Sequence, residues 1–315
     1  MPDGLAERLN GAVVRLLGRS VAPDELFGIA VSGGADSMAL LSAASRAWPG
    51  QVEAATVDHA LRPASRGEAE MVADWCQRAG VPHEILTVSA PLTGNLQASA
   101  RAARYRLLED WRATRGIDWL MTAHQADDQI ETMVLRLNRG SGVGGLASVR
   151  GRRGRLLRPL LGERRVTLRA YCLDRTVPFV DDPSNADERF DRVRVRQALT
   201  GSDLFEPSGL ARSVEALGQA DAALAWVVDQ FAMDYLQLEE GSAILRRTDF
   251  PPELLRRLLE RMLAHVRPEA EKPRGPSLDQ ALVQLLSAKA VTLADCVITG
   301  GEHWTVRRAP PRKSR

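Results

Sequence analysis

The residues best suited to chemistry lie in one short run, Ser32-Gly33-Gly34-Ala35-Asp36-Ser37. Gly33 and Gly34 carry no Cβ to hold a phosphate away from the backbone, and Ser32 and Ser37 add hydroxyl donors. The run is preceded by Phe27-Gly28-Ile29-Ala30-Val31, which is apolar and β-prone, and followed by Met38 to Ala44, which reads as a helix. It therefore joins a buried strand to the start of a helix. The first turn of a helix has N–H groups with no internal partner, and together with the helix dipole they favour an anion. Asp36 does not suit bare phosphate; it points to Mg²⁺ or a polarised water beside phosphates. A Walker A loop would need Lys before Ser or Thr, and no Lys occurs before Lys272. The dinucleotide pattern G-x-G-x-x-G is absent as well.

A second constellation is His124-Gln125-Ala126-Asp127-Asp128-Gln129-Ile130-Glu131-Thr132. Asp127 and Asp128 lie four and three residues before Glu131, so the carboxylates gather near the start of one helix. Acidic residues in a first turn are ordinary capping. A third carboxylate one turn later is not, because like charges at this spacing cost about 0.2–0.5 kcal/mol. A cation between them would resolve the cost, either Mg²⁺ or an amine substrate.

These stretches sit in a regular alternation. Helices are expected over 1–25 (ended near Gly18 and Pro23), 65–79, 96–115 and 127–138, and strands over 27–31, 52–57, 83–88 and 119–123. Such alternation predicts a doubly wound, mainly parallel α/β sheet covered on both faces. Ligands bind such sheets beyond the carboxyl ends of the strands, where the Ser32–Ser37 run, Asp58, His59 and His124 all fall. Beyond a junction near 200–208, helices over 210–238, 251–266 and 278–289, a short strand at 243–245 and a closing β-pair (291–298 and 303–306) predict a smaller, mainly helical C-terminal domain. The expected domains are residues 1–205 and 206–315, the latter an accessory domain with a basic tail.

Composition sets bounds. The 315 residues suffice for two domains. Net charge is only +2, so the chain is no polycation, and only three of its 42 basic residues are Lys. Any cation neutralising charge within the first 271 residues must be Arg, the better bidentate phosphate ligand. Cys76, Cys172 and Cys296 are scattered with no CxxC pair, and neither a membrane span nor a signal peptide is read. A reduced, cytoplasmic protein is expected. Arg150, Arg152, Arg153, Arg155 and Arg158, continued by Arg164 and Arg165, form a basic run that reads either as a solvated loop or as a phosphate or RNA contact.

The first run resembles the S-G-G-x-D-S pyrophosphate loop of the N-type ATP pyrophosphatases, which cleave ATP to AMP and pyrophosphate and adenylate a carbonyl oxygen. Over about residues 27–200 the chain is similar to the tRNA(Ile)-lysidine synthetase family. The segments carrying the likeness are Val31 to Ser37; Val57 to Arg62 with Ser65 and Glu68; Gly94-Asn95-Leu96-Gln97 with Ala100, Arg101, Arg104 and Tyr105; Thr122 to Thr132; Arg139 to Gly142 with Gly145 and Leu146; Arg158-Pro159-Leu160-Leu161; and Asp182 to Asn185 with Phe190, Arg192 and Arg196. Val193 departs from the Asn often found there in the family.

The resemblance implies an enzyme using ATP and Mg²⁺ to join L-lysine to C2 of the wobble cytidine of a CAU-anticodon tRNA(Ile). The products are lysidine, AMP and pyrophosphate, and codon reading changes from AUG to AUA. Ser32, Gly33, Gly34, Ala35, Asp36 and Ser37 would hold ATP, with Asp36 on the metal. Arg104 and Arg196 would neutralise developing charge, with Arg158 a further candidate. Asp127, Asp128 and Glu131 would bind lysine, and His124 would contact the adenylating phosphate or the base. Arg150 to Arg165 would face tRNA, and a homodimer is one option for assembly. Three alternatives remain at this stage: a tRNA thiolase of the same loop class, a small-molecule amidotransferase-type ligase, and a non-catalytic RNA-binding protein.

Overall fold

The computed structural model describes residues 4–58, 63–88, 96–147, 149–181, 191–200 and 205–310. In order the elements are α1 (Gly4–Leu17), β1 (Phe27–Ala30), α2 (Ala35–Ala47), β2 (Val52–Asp58), α3 (Pro63–Ala79), β3 (His83–Thr87), α4 (Leu96–Thr114), β4 (Trp119–Met121), α5 (Ala126–Leu137), α6 (Val143–Leu146), β5 (Arg152–Arg153), β6 (Leu156–Leu157), α7 (Arg165–Asp174) and α8 (Asp191–Thr200). There follow α9 (Pro207–Tyr235), β7 (Leu236–Glu239), β8 (Ser242–Leu245), α10 (Pro252–Val266), α11 (Gly275–Leu286), β9 (Val291–Leu293), β10 (Cys296–Thr299) and β11 (Trp304–Arg308). The chain divides into two compact units, Met1–Gly140 with Gly145–Glu215, and Ser141–Gly144 with Ala216–Arg315.

The first unit is built on a six-stranded sheet in the order β3-β2-β1-β4-β6-β5. Five strands are parallel and β5 is antiparallel to β6. Alternation along β1 explains the two covered faces. Phe27 and Ile29 join a core with Leu5, Leu9 and Val13 of α1, Met38 and Leu41 of α2, and Leu168 and Cys172 of α7. The opposite face packs Leu108 and Trp111 of α4 with Ile117, Leu120 and Ala55. Strand order reverses between β1 and β4; Phe27 of β1 pairs with Val52 of β2 on one side and Trp119 of β4 on the other. That reversal opens a crevice at the carboxyl ends of these two strands.

Several elements escaped the sequence reading. The hairpin β5–β6 lies in the basic stretch taken as a loop; two-residue strands are too short to show a period. Helix α7 is short, and α8 is so rich in Arg that its apolar pattern is faint. In the second unit the helices are joined by a five-stranded antiparallel sheet, β7-β8-β11-β10-β9. Strand β7 follows α9 directly, so its residues read as helix continuing to Leu238; the chain turns back at Gly241 (φ +72°). Leu255, Leu258, Leu259 and Met262 of α10 pack on Trp304, Val306 and Ile298 of that sheet. Among the described residues no helix is long and apolar enough to cross a membrane.

Gly28 lets α4 approach β1. A Cβ built there would lie 2.6 Å from Trp111 Cζ3 and 2.9 Å from its Cη2, in a buried contact. Gly28→Ala is expected to lower unfolding free energy by about 1–3 kcal/mol through overpacking, measured by urea unfolding of the intact chain.

Candidate active site

The Ser32–Ser37 loop leaves β1 at the crevice. Gly33 has φ +81°, a conformation an L side chain rarely adopts. Ser37 Oγ donates to Gly34 O (2.9 Å) and accepts from Ser32 N (3.2 Å), so the loop braces itself. Gly33 O accepts from Val180 N (2.9 Å). Gly34 is the N-cap of α2 and supplies no side-chain cap. Cys172 Sγ donates to Ala35 O (3.4 Å), fastening the first turn of α2 to α7. The loop is therefore a braced concavity at an uncapped helix start, the geometry that holds phosphate.

Asp36, in that first turn, has one oxygen, Oδ1, buried with no hydrogen-bond partner among the described residues. Burial pushes its carboxyl up to about 6; Arg165 opposes the rise while Asp128 and Asp127 add to it. An orphaned buried acceptor beside a phosphate cradle fits an ion such as Mg²⁺, which takes one or two carboxylates plus phosphate oxygens.

The second constellation follows β4. Gln125 caps α5 by accepting from Asp127 N, while Asp128 Oδ2 accepts from Gln125 N (3.3 Å). Asp128 Oδ1 meets Arg165 Nη2 at 3.2 Å, and Glu131 Oε1 meets Arg165 Nη1 at 3.4 Å and Arg196 Nε at 2.8 Å. Glu131 Oε2 is buried with no hydrogen-bond partner among the described residues. Arg165 Nε also lies 3.9 Å from Asp36 Oδ2. Burial raises Asp128 above the usual carboxylate range, against the pull of Arg165. Asp127 faces elsewhere: its oxygens accept from Arg164 Nε (3.0 Å) and from the backbone N of Arg165 (2.8 Å). Burial raises it, but these bonds win and hold it below the ordinary carboxylate value. Where the sequence points to Mg²⁺ or an amine among the carboxylates, the structure places a guanidinium of the chain itself, that of Arg165. The sequence groups Arg165 with the basic run rather than with the carboxylates, because the short helix α7 shows little apolar pattern; the available signal is two arginines opening a helix, against the dipole.

His124 borders a cationic wall. Its Nδ1 lies 3.0 Å from Thr122 Oγ1. Burial, then the charges of Arg158, Arg101, Arg104 and Arg192, push the imidazole down to about 3. The guanidinium carbons of Arg101 and Arg104 lie 5.2 and 5.3 Å from the Tyr105 ring centroid. Burial raises the Tyr105 phenol, yet Arg101, Arg104 and Arg158 outweigh it and leave it below the ordinary value. One side of the crevice is therefore built for anions and the other for a cation.

The basic run divides. Arg158 follows β6 at the carboxyl end, is buried, and donates Nη1 to Arg150 O (2.8 Å). Arg152 and Arg155 flank the turn at the opposite end of the strand and stack on Trp119, 4.7 and 5.2 Å from its centroid. Arg153 shares that exposed turn. Asp58 ends β2. His59 to Arg62, Gly94, Asn95, Asp182 to Asn185 and Phe190 lie outside the described residues. Val193 is buried in α8.

Residues 6–202 match the model of the PP-loop domain family. A tRNA(Ile)-lysidine synthase of Zymomonas mobilis is 40% identical over 297 residues, covering 91% of this chain and 89% of its own. One from Novosphingobium aromaticivorans is 40% identical over 320 residues, covering 98% and 97%. The chain belongs to the tRNA(Ile)-lysidine synthase family of PP-loop proteins. The fold is also shared with a solved U34-tRNA thiolase, NcsA from Methanococcus maripaludis. That likeness has a TM-score of 0.57 at 14% identity, covering 69% of this chain and 81% of that one.

Within this crevice, burial and the surrounding arginines hold His124 neutral. Its depressed folded-state pKa means stability is full above the unfolded value of 6.5 and lost as pH falls from there towards 3. In ¹⁵N-correlated spectra its ring is expected to stay neutral from about pH 8 to about pH 5; protonation above about pH 6 would show the cationic wall to be misread.

Proposed function

We propose that the chain catalyses ATP-dependent joining of L-lysine to C2 of the wobble cytidine in the CAU-anticodon tRNA(Ile); its relatives are named tRNA(Ile)-lysidine synthases. The observation that carries this reading is the meeting, at one crevice, of a phosphate cradle with a carboxylate pair, half-buried Asp128 and buried Glu131. The cytidine C2 oxygen attacks the α-phosphorus of ATP, the bond to the β-phosphate breaks, and pyrophosphate leaves into the loop Ser32 to Ser37. Arg104 and Arg158, beside neutral His124, stabilise the negative charge that develops on the α-phosphate. Asp36 would hold Mg²⁺, which neutralises phosphate charge. The lysine ε-ammonium binds against Asp128 and Glu131, and one of these carboxylates takes its proton, since only the neutral amine is a nucleophile. The amine then attacks C2, the C2–oxygen bond breaks, and AMP leaves.

A thiolase reading would need a reactive cysteine. Cys76, Cys172 and Cys296 are all buried, and burial pushes the Cys76 and Cys172 thiols up to about 12. Such thiols are inert. We assign the second unit an accessory role in gripping tRNA, and the enzyme to the cytoplasm.

The decisive assay measures pyrophosphate release and lysine incorporation with an isoleucine tRNA transcript bearing CAU, against a methionine tRNA. Release requiring the isoleucine transcript, with lysine entering the RNA, is expected; release with neither RNA would move the reading to a small-molecule ligase. Asp36→Ala is expected to abolish release, and wild-type turnover in that variant would sink the metal assignment. Arg152, Arg153 and Arg155 sit away from the crevice, so they are assigned to tRNA beyond the anticodon. Reversing their charge should flatten the salt dependence of binding by about 0.7–0.9 log units per lost phosphate contact and spare the adenylation rate at saturating tRNA.

A further inference from the structure

Two arginines open helix α7, where the dipole disfavours positive charge. Nothing in their own turn offsets this; Arg164 is the N-cap and makes no side-chain capping bond. The compensation comes from α5. Asp127 accepts the first free N–H of α7, that of Arg165, at 2.8 Å, and pairs with the Arg164 guanidinium at 2.7 Å. The segment leading into α7 is tied to α5 at two further points: Ala126 N donates to Glu163 O (2.9 Å) and Gln129 Nε2 to Leu161 O (3.2 Å). With its backbone held this way, Arg165 reaches Asp128, Glu131 and Asp36 at 3.2, 3.4 and 3.9 Å. It is thus in contact with a carboxylate on the phosphate side of the crevice and with the two on the amine side.

We infer that Arg165 is a positioning residue joining the pyrophosphate loop to the amine-binding carboxylates, and that Asp127 acts through Arg165 rather than on the amine. The inference rests on the proposed function of this site and deepens it. Both oxygens of Asp127 are held by the segment that opens α7, through Arg164 Nε and the backbone N of Arg165, whereas Glu131, beside Asp128, keeps a buried oxygen, Oε2, with no hydrogen-bond partner among the described residues, the acceptor open to an ε-ammonium. Three like-charged carboxylates at these distances stay gathered only with a fixed cation among them. Removing that cation lets both halves of the site drift, so both half-reactions suffer. Loss of an amine ligand would affect only the second.

The test uses the full-length chain and single-turnover kinetics of two steps, adenylation with pyrophosphate release and lysine transfer, with thermal unfolding of each variant as a check on folding. Arg165→Gln is expected to slow both steps by about tenfold or more, and Arg165→Lys, which keeps a point charge among the carboxylates, to recover to within about threefold. Asp127→Asn should slow both steps by about three- to tenfold with the KM for lysine little changed, and add less than about twofold in the Arg165→Gln background. If Arg165→Gln does not fold, the Lys and Asn variants carry the test. A raised lysine KM in Asp127→Asn with adenylation intact would make Asp127 an amine ligand and overturn the inference. Independent, multiplying effects of the two substitutions, or an unaffected Arg165→Gln, would overturn it as well. Wild-type protein that neither releases pyrophosphate nor incorporates lysine would bring down the proposed function and this inference together.

Discussion

Carboxylates do not stay together out of water without cations. Glu131 is 2% exposed, and stripping the partner from a buried carboxylate costs about 3–5 kcal/mol. The crevice of the first unit is arranged around that constraint. Arg165 enters from α7 and Arg196 from α8, and both converge on Glu131 of α5. The elements that supply these arginines lie more than thirty residues further along the chain, so the site closes only when α7 and α8 have docked. Residues 161–165 make the first of these connections, because their backbone is hydrogen-bonded to the start of α5.

The position of the crevice follows from topology. Parallel strands β1 and β4 are neighbours, yet their connections leave to opposite sides, and the loops after them diverge around an opening. The Ser32–Ser37 loop comes from one and the His124–Glu131 stretch from the other. Neither stretch needs a special framework beyond this. Each is the ordinary continuation of a short buried strand into a helix start, where unpaired N–H groups and capping carboxylates gather in any protein.

Charge is sorted across the opening. Arg101, Arg104, Arg158 and Arg192 hold the imidazole of His124 far below its ordinary value, while Asp36 and Asp128 are held above theirs. Opposed perturbations within one cleft are the arrangement by which acid–base sites set apart their acid and base groups. The sorting also divides one run of the sequence. Arg158 belongs to the crevice, whereas Arg152 and Arg155, only a few residues earlier, stack on Trp119 at the far end of the same strands. A two-residue hairpin turn is enough to send neighbouring arginines to opposite edges of a sheet.

The sequence by itself determined the alternating α/β plan, the pyrophosphate loop and the carboxylate cluster. Those signals are local: apolar periodicity, glycines that permit a tight turn, and acidic residues three and four apart on a helix. The family was legible for the same reason, since its motifs are short and contiguous. Which cation satisfies the carboxylates was decided only by tertiary structure. Arg165 follows Asp128 by 37 residues, and pairing between charges so separated obeys no period. The division of the arginine run, the turn of Asp127 away from the crevice, and the joining of the second unit's strands, with β7, into one sheet were likewise hidden. Each depends on where a short or weakly patterned segment docks, and docking is set by hydrogen bonds and burial that exist only once distant parts of the chain have met.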